Sequence, residues 1–190
     1  MAEEGVADIL DKLGEAGKGE TVSVADVLQA FGRRAYGPLL FVIGLISFSP
    51  IGAIPGASLF FGTLTILLMG QFVVRSGSPW VPGWIERRAV GAKRFRQALS
   101  KARPWLTRID ALLDQRLTQL ADPPWSKLLG GVAILAGISM FPLALVPWGV
   151  MLPSFALAVI GLGIAARDGL LLLAGWLAVA GTFASLWYLL

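Results

Sequence analysis

Three long stretches of this chain contain no charged residue and are strongly apolar. They cover residues 38–74, 128–166 and 169–190. A helix needs about 20 apolar residues to cross a lipid bilayer, and soluble domains seldom contain such runs. The composition agrees, because 56% of the residues are hydrophobic, 15% are charged and the mean hydropathy is +0.73. The sequence therefore predicts an all-α polytopic membrane protein.

Cysteine and histidine are both absent from the sequence. The chain therefore has no thiol nucleophile, no imidazole base and no cysteine or histidine ligands for a metal. No nucleophile–base pair stands out among its other residues. We expect a protein that is not an enzyme and that uses no metal and no cofactor.

The charged residues are unevenly distributed along the chain. Residues 75–127 hold 11 of the 16 lysines and arginines against four acidic residues, and Arg33 and Arg34 precede the first apolar run. Positive charge collects on the cytoplasmic side of membrane proteins, so we expect the linker 78–127 on that side of a bacterial inner membrane. The pI near 9.9 then reflects topology and anionic lipid headgroups, and no nucleic-acid partner is expected.

The polar segments carry the patterns of amphipathic helices. In segment 1–37, apolar residues recur at helical spacing, and Ser23 with Asp26 has the pattern of a capping box ahead of a helix. These helices lie on the membrane surface or form a small soluble cap. The linker predicts two more helices, over 84–101 and 109–120, which are interfacial or pack against the ends of the membrane helices.

The apolar runs contain an internal repeat. The stretches 50-PIGAIPGASLF-60 and 142-PLALVPWGVML-152 both place two prolines five positions apart. At an offset of 92 positions, Ile46 matches Ile138, Ser47 matches Ser139, Pro50 matches Pro142, Pro55 matches Pro147, Arg75 matches Arg167 and Gly77 matches Gly169. Duplicated halves recur in membrane transport folds.

The prolines predict a broken or re-entrant helical hairpin in each repeat. Residues 38–49 would form a helix of about 18 Å, too short for a hydrocarbon core of about 30 Å, whereas 57–74 is long enough. The second repeat predicts the same order of a short segment, a break and a long segment. Unpaired backbone groups are costly in lipid, so we expect the two breaks to be sheltered and to face each other. The chain then divides into amphipathic helices (1–37), membrane repeat 1 (38–77), the linker (78–127), membrane repeat 2 (128–169) and a final spanning helix (170–190).

Two stretches, 26-DVLQAFGRRAYGPLLFVIGLISFSPIGAIPG-56 and 160-IGLGIAARDGLLLLAG-175, resemble the exopolysaccharide synthesis ExoD family. The resemblance covers essentially the whole chain. It implies a small bacterial inner-membrane protein linked to exopolysaccharide production and to alkaline or ionic stress, and it supplies no catalytic residues. In layout the chain also resembles DedA-type membrane proteins, but it lacks the intramembrane carboxylates expected of proton-coupled relatives, which argues against proton coupling.

The breaks are the candidate substrate-binding site. Helices that restart at Ala57 and Gly149 would direct free backbone N–H groups towards the breaks, an arrangement suited to an anion. The alternative is that the small residues only allow close helix packing and that the serines bond back to their own helices. The candidate residues are Ser47, Ser49, Pro50, Pro55, Gly56, Ser139, Pro142, Pro147 and Gly149.

Three charged residues end the apolar runs. Arg75, Arg167 and Asp168 are candidates for gating the cavity from the cytoplasmic side. The alternative is that they anchor the helices at the interface, with Asp168 paired to an arginine.

Two functions fit these patterns. The first is a small translocator of an ion, a lipid or an anionic substrate that acts with exopolysaccharide production. The second is a non-catalytic assembly factor that docks polysaccharide synthesis or export machinery. Gly130, Gly131 and Gly137 predict a close helix contact, so the expected partners are the lipid bilayer, a second copy of the chain in a homodimer and that machinery.

Overall fold

The computed structural model describes residues 21–54, 56–75, 77–93, 97, 100, 125–146 and 148–189. The helices are α1 (Val24–Phe31), α2 (Tyr36–Phe48), α3 (Ala57–Val74), α4 (Gly83–Glu86), α5 (Trp125–Leu143), α6 (Met151–Ala166) and α7 (Gly169–Leu189), and the strands are β1 (Thr21–Ser23) and β2 (Ala89–Gly91). The predicted helical class is confirmed. The chain forms two compact units, residues 1–33 with 77–114 and residues 34–76 with 115–190.

The smaller unit joins a short strand pair to a capped helix. β1 pairs antiparallel with β2, and Val22 lies opposite Val90. α1 begins with the predicted capping box, because the Asp26 N–H donates to Ser23 Oγ at 3.1 Å while the Ser23 N–H donates to the Asp26 carboxylate at 2.9 Å. These two bonds satisfy backbone donors that the first turn of a helix leaves unpaired.

The strand pair corrects the prediction of a continuous helix over 84–101. The helix ends after a single turn at Glu86, and the backbone of 89–91 then pairs with β1. A β-branched valine followed by glycine favours this extended backbone over a helix. The helices predicted within 1–20 and over 109–120 lie outside the described residues.

The larger unit contains two helical hairpins and a final helix. The rings of Tyr36, at the start of α2, and Phe72, near the end of α3, have centroids 5.2 Å apart, so these helices are antiparallel. α5 and α6 form the second hairpin. α7 is antiparallel to α6, since a Cβ added at Gly163 would lie 2.7 Å from the Leu172 side chain near the start of α7.

Each hairpin packs on the other through glycines. A Cβ added at Gly44 of α2 would lie 2.8 Å from the carbonyl oxygen of Ser154 in α6, and one added at Gly62 of α3 would lie 2.8 Å from the carbonyl oxygen of Gly137 in α5. These distances leave no room for a side chain, so the two backbones touch at each crossing. The first helix of each hairpin therefore packs on the second helix of the other. Both hairpins run in the same direction.

Among the residues that the structure describes, three helices of the larger unit meet the length and hydropathy needed to cross a membrane. They are Ala57–Val74, Trp125–Leu143 and Gly169–Tyr188, with mean hydropathies of 1.9, 1.6 and 1.9. Their outer faces expose large apolar side chains, such as Leu67 at 61% and Leu177 at 74%. Apolar faces of this kind are unfavourable in water and are solvated by lipid tails. The chain is therefore a membrane protein.

The second hairpin does not have the predicted order of a short helix followed by a long one. α5 has 19 residues and α6 has 16. α5 includes Trp125–Lys127, ahead of the uncharged run, and Lys127 is exposed there, so its long side chain can extend towards polar headgroups. The helix also continues through Pro142, whose missing N–H removes a single hydrogen bond in the last turn.

Candidate functional site

Both breaks lie at the same end of the larger unit. The rings of Phe48, which ends α2, and Phe155, near the start of α6, have centroids 6.1 Å apart. At the other crossing, a Cβ added at Gly62 would lie 3.2 Å from the ring of Phe141, so the start of α3 lies beside the end of α5. The ends of α2 and α5 and the starts of α3 and α6, which flank the two breaks, therefore lie at the same end of the unit. The charged ends of the helices lie at the opposite end of the unit.

The first break is a compact turn that depends on glycine. Ser49 closes α2, and its hydroxyl donates to the Ile46 carbonyl at 2.6 Å and accepts from the Ile51 N–H at 3.3 Å. Pro50 then begins a 3-10 turn. A Cβ at Gly52 would collide with the carbonyl of Ser47, so no other residue fits there. The turn folds the chain directly back over the end of α2.

Gly56 ends this break in the left-handed conformation, with φ of 88°. α3 then starts at Ala57, where the sequence predicts a helix to restart. The Ala57 N–H donates to the Ile54 carbonyl at 3.0 Å. The Ala57 N–H, which the sequence predicts to be free to bind an anion, therefore already has a partner within the break.

The second break is a series of turns between α5 and α6. Trp148 has a left-handed backbone with φ of 64° and exposes 66% of its surface. Gly149 lies within a turn, where its N–H donates to the Val146 carbonyl at 2.9 Å, and α6 begins two residues later, at Met151. The second predicted anion donor is thus also bonded locally.

The candidate serines lie in different surroundings. Ser47 is buried where α2 meets α6, with its Oγ 2.9 Å from the Oγ of Ser154. Ser154 Oγ also lies 2.6 Å from the Val150 carbonyl. A hydroxyl has one proton, so Ser154 donates to the carbonyl and accepts from Ser47. Ser139 is also buried, but it donates to the Ala136 carbonyl of its own helix at 2.7 Å.

Ser154 is a site residue that the sequence reasoning missed. It faces Ser47 across 107 positions of sequence, and its neighbours in sequence do not indicate that contact. A polar residue in an otherwise uncharged run was the available signal. Of the other candidates, Pro50 and Pro142 are exposed at the two breaks, while Pro55 and Pro147 lie outside the described residues.

The three charged candidates lie at the end of the unit opposite the breaks. Arg75 ends α3, and Arg167 ends α6 with a left-handed backbone, φ of 55°. Asp168 is 5% exposed, and its carboxylate accepts from the N–H groups of Leu170 at 2.8 Å and Leu171 at 3.4 Å. Asp168 therefore caps α7, and its negative charge stabilises the positive end of that helix dipole.

Some of the glycines from which the homodimer is predicted instead pack against another helix of the same chain. A Cβ at Gly130 would lie 3.1 Å from the ring of Phe72, and one at Gly137 would lie 3.2 Å from the methyl of Thr65, so both face α3. Gly131 has open space beside it. Two of the three glycines thus allow packing between hairpins, and the homodimer stays a prediction.

Two crossed hairpins with uncharged breaks at one end and charged residues at the other define a helical membrane protein. The chain belongs to the ExoD family, because the profile described as "Exopolysaccharide synthesis, ExoD" matches residues 6–188. It is 28% identical to Protein ExoD of Rhizobium meliloti over 98% of this chain and 79% of that protein. It is also 28% identical to an uncharacterized protein of Synechocystis sp., over 83% of this chain and 74% of that protein. No solved structure matches the chain significantly.

Proposed function

We propose that this chain works in exopolysaccharide synthesis as a small translocator in the bacterial inner membrane, with the two broken hairpins as its moving parts. The observation that carries the proposal is the meeting of both breaks at one end, where the hydroxyls of Ser47 and Ser154 join the two hairpins. The linker 78–127 lies on the cytoplasmic side in this arrangement. The chain itself performs no catalysis.

The crossed packing supports an internal repeat of the two hairpins. The contact of α2 with α6 corresponds to that of α5 with α3 when the halves are superimposed at an offset of 92. At the same offset Gly56 corresponds to Trp148, and both have a left-handed backbone. Because both hairpins run in the same direction, the repeats are parallel and related by an axis along the membrane normal.

Helix length supports hairpins that re-enter the membrane. α2 has 13 residues and α6 has 16, which correspond to about 20 Å and 24 Å of a hydrocarbon core of about 30 Å. The breaks carry no charge and expose apolar side chains, including Ile51, Ile54 and Leu145. In this proposal the breaks end within the outer leaflet, and their backbone groups bond to one another instead of to water.

The packing of α2 on α6 corresponds to a closed state of the translocator. The backbones touch at Gly44, and the hydroxyls of Ser47 and Ser154 already have hydrogen-bond partners within the protein. A polar substrate reaches the breaks only when these two helices separate and expose the hydroxyls of Ser47 and Ser154. The uncharged runs contain no carboxylate, so movement is not coupled to protons through an intramembrane acid.

The close packing of α2 on α6 also favours the second candidate, an assembly factor for polysaccharide machinery. A rigid, dry contact between hairpins suits a scaffold that presents its surface to partner proteins. In that case the two helices never separate during function. The two candidates therefore differ in whether α2 and α6 must move apart.

A disulfide across the contact separates these candidates. The natural chain has no cysteine, so the double variant Ser47→Cys with Ser154→Cys contains a single possible disulfide. The variant is expressed in a strain that lacks the protein, and exopolysaccharide is measured with the cysteines oxidised and after reduction. The single variants Ser47→Cys and Ser154→Cys are the controls, with membrane abundance followed by blotting.

For a translocator, we expect the oxidised double variant to lose exopolysaccharide production and to regain it on reduction, while each single variant gives the same production under oxidising and reducing conditions. For an assembly factor, production continues with the disulfide formed. Full activity of a protein whose disulfide is verified by a thiol-shift gel would reject translocation by separation of these helices.

A further inference from the structure

Two cations lie side by side where α3 ends and α5 begins. A Cβ added at Gly130 of α5 would lie 2.5 Å from Cγ2 of Val73 in α3, so the two helices are in contact there. Lys127 precedes Gly130 by three residues, and Arg75 follows Val73 by two. Because the helices are antiparallel, both cations lie about 3–5 Å beyond this contact, towards the charged end of the unit. Residues three apart share a face of a helix, so Lys127 is on the face of α5 that meets α3.

The charge around these two cations favours an anion. Both side chains are exposed. Asp168 is the only side-chain carboxylate among the described residues of the larger unit, and it is buried at the start of α7, where it accepts from the N–H groups of Leu170 and Leu171. Two positive charges close together repel each other, and an anion bound between them replaces this repulsion by attraction. The pair therefore suits a negatively charged ligand.

The surface just below the two cations is apolar and open. Val74 precedes the first cation and Leu128 follows the second, and these side chains are 82% and 51% exposed. One turn deeper on the same helix faces, a Cβ added at Gly70 or at Gly131 would meet no atom within 4 Å. Both helices thus present a cation, then an exposed apolar residue and then an uncovered glycine. This order matches a ligand with an anionic head and an apolar tail.

The crossing of α2 with α6 holds a second pair of cations in a different setting. A Cβ added at Gly37 would lie 2.5 Å from the backbone nitrogen of Ala165. Arg34 precedes Gly37 by three residues and Arg167 follows Ala165 by two, so the spacing is the same as in the first pair. Both arginines are half-buried, however, and Arg167 adjoins Asp168. The exposed pair on α3 and α5 is therefore the better site for a ligand that arrives from the bilayer.

We propose that Arg75 and Lys127 bind the phosphate of one anionic bilayer phospholipid, whose acyl chains lie along Val74 and Leu128. The guanidinium fork of Arg75 donates to two phosphate oxygens, and the ammonium group of Lys127 adds a point charge. Basic sites between membrane helices on the cytoplasmic side bind headgroups of this kind. Because α3 belongs to the first hairpin and α5 to the second, the bound lipid joins the two hairpins. The site is independent of the breaks and of any translocation.

Removal of each cation tests this site. Purified protein is titrated with phosphatidylglycerol and with phosphatidylcholine of the same acyl chains, and bound lipid is measured by native mass spectrometry. We expect wild type to bind phosphatidylglycerol about 25-fold more tightly, since each cation contributes about fivefold. Arg75→Gln and Lys127→Gln should each leave a preference of about fivefold, and the double variant should have none. Thermal unfolding without added lipid should be unchanged, because both side chains are exposed.

Two controls separate this site from general effects. Arg87→Gln combined with Lys93→Gln removes the same charge from exposed positions of the smaller unit and should keep the wild-type preference. Inorganic phosphate in tenfold excess should not displace phosphatidylglycerol, because it has no acyl chains to contact the apolar surface. Equal binding of the two lipids by wild type, a preserved preference in the Arg75 and Lys127 double variant, the same loss in the control variant, or displacement by phosphate would each overturn the proposal.

Discussion

At the scale of single residues, the two breaks differ in the type of residue that has a left-handed backbone. Each break contains a left-handed residue, which is Gly56, directly before α3, in the first break and Trp148, three residues before α6, in the second. Glycine adopts this conformation at no steric cost, whereas a residue with a Cβ loses about 1 kcal/mol or more there. Nothing lies within 4 Å of a Cβ added at Gly56, so strain there would be purely conformational.

This difference predicts substitutions with opposite effects. Trp148→Gly should raise the free energy of unfolding in detergent by about 1 kcal/mol, and Gly56→Ala should lower it by a similar amount. Thermal unfolding followed by circular dichroism measures both. Leu145→Gly is the control, because Leu145 is also exposed, at 88% against 66% for Trp148, but is not left-handed. If Trp148→Gly lowers the midpoint of thermal unfolding as far as Leu145→Gly does, the left-handed strain at Trp148 is not the dominant effect.

At the scale of secondary-structure elements, α1 depends on its capping box. The hydrogen bond from the Ser23 hydroxyl lowers the pKa of Asp26, and the backbone N–H of Ser23 adds to the effect. A carboxylate whose folded pKa is lowered stabilises the helix above its unfolded pKa, near 3.9. That stability is lost as pH falls through the lower pKa of the folded state.

Hydrogen exchange across Val24–Phe31 tests this cap. We expect Ser23→Ala to weaken the helix by about 1 kcal/mol and so to speed its exchange about fivefold at pH 7. In wild type, protection should fall when the pH drops below about 4. Asp26→Asn should remove this dependence on pH. The same acid dependence in Asp26→Asn would show that another group is responsible.

The close crossing of α2 and α6 predicts that one added methyl group lowers the stability of the protein. In Gly44→Ala, the new Cβ would overlap the backbone of α6, so the helices must move apart, with an expected cost of about 1–3 kcal/mol. Gly131→Ala is the matched control, because a Cβ there meets open space and alanine favours a helix. Unfolding in detergent compares the two. Equal stability of both variants would contradict the backbone contact at this crossing.

At the scale of the whole molecule, the charge distribution predicts the orientation in the membrane. Cysteines introduced at Ser78 and Ser100 should resist an impermeant thiol reagent in intact cells and react once the membrane is permeabilised. A cysteine at Tyr188, which is 91% exposed at the end of α7, should react from outside. The natural chain has no cysteine that could add background. Labelling of Ser78→Cys in intact cells would contradict the predicted orientation.

The sequence by itself determined the features that depend on neighbouring residues. It predicted the start of α3 at Ala57, its end before Arg75 and the capping box of α1, and the structure confirms all three. Lipid solvation acts on each residue of a run, and a cap acts over three residues, so both can be read locally. The separation of the membrane runs from the charged linker follows from the same local preferences.

Tertiary structure alone decided the features that join distant parts of the chain. The crossing of α2 with α6, the bond between Ser47 and Ser154 and the pairing of β1 with β2 all bring together residues that lie far apart in sequence. Apolar helices have similar outer faces, so hydropathy does not select which of them touch. The selection is made by shape, because glycines at matching heights let the backbones of α2 and α6, and of α3 and α5, approach closely.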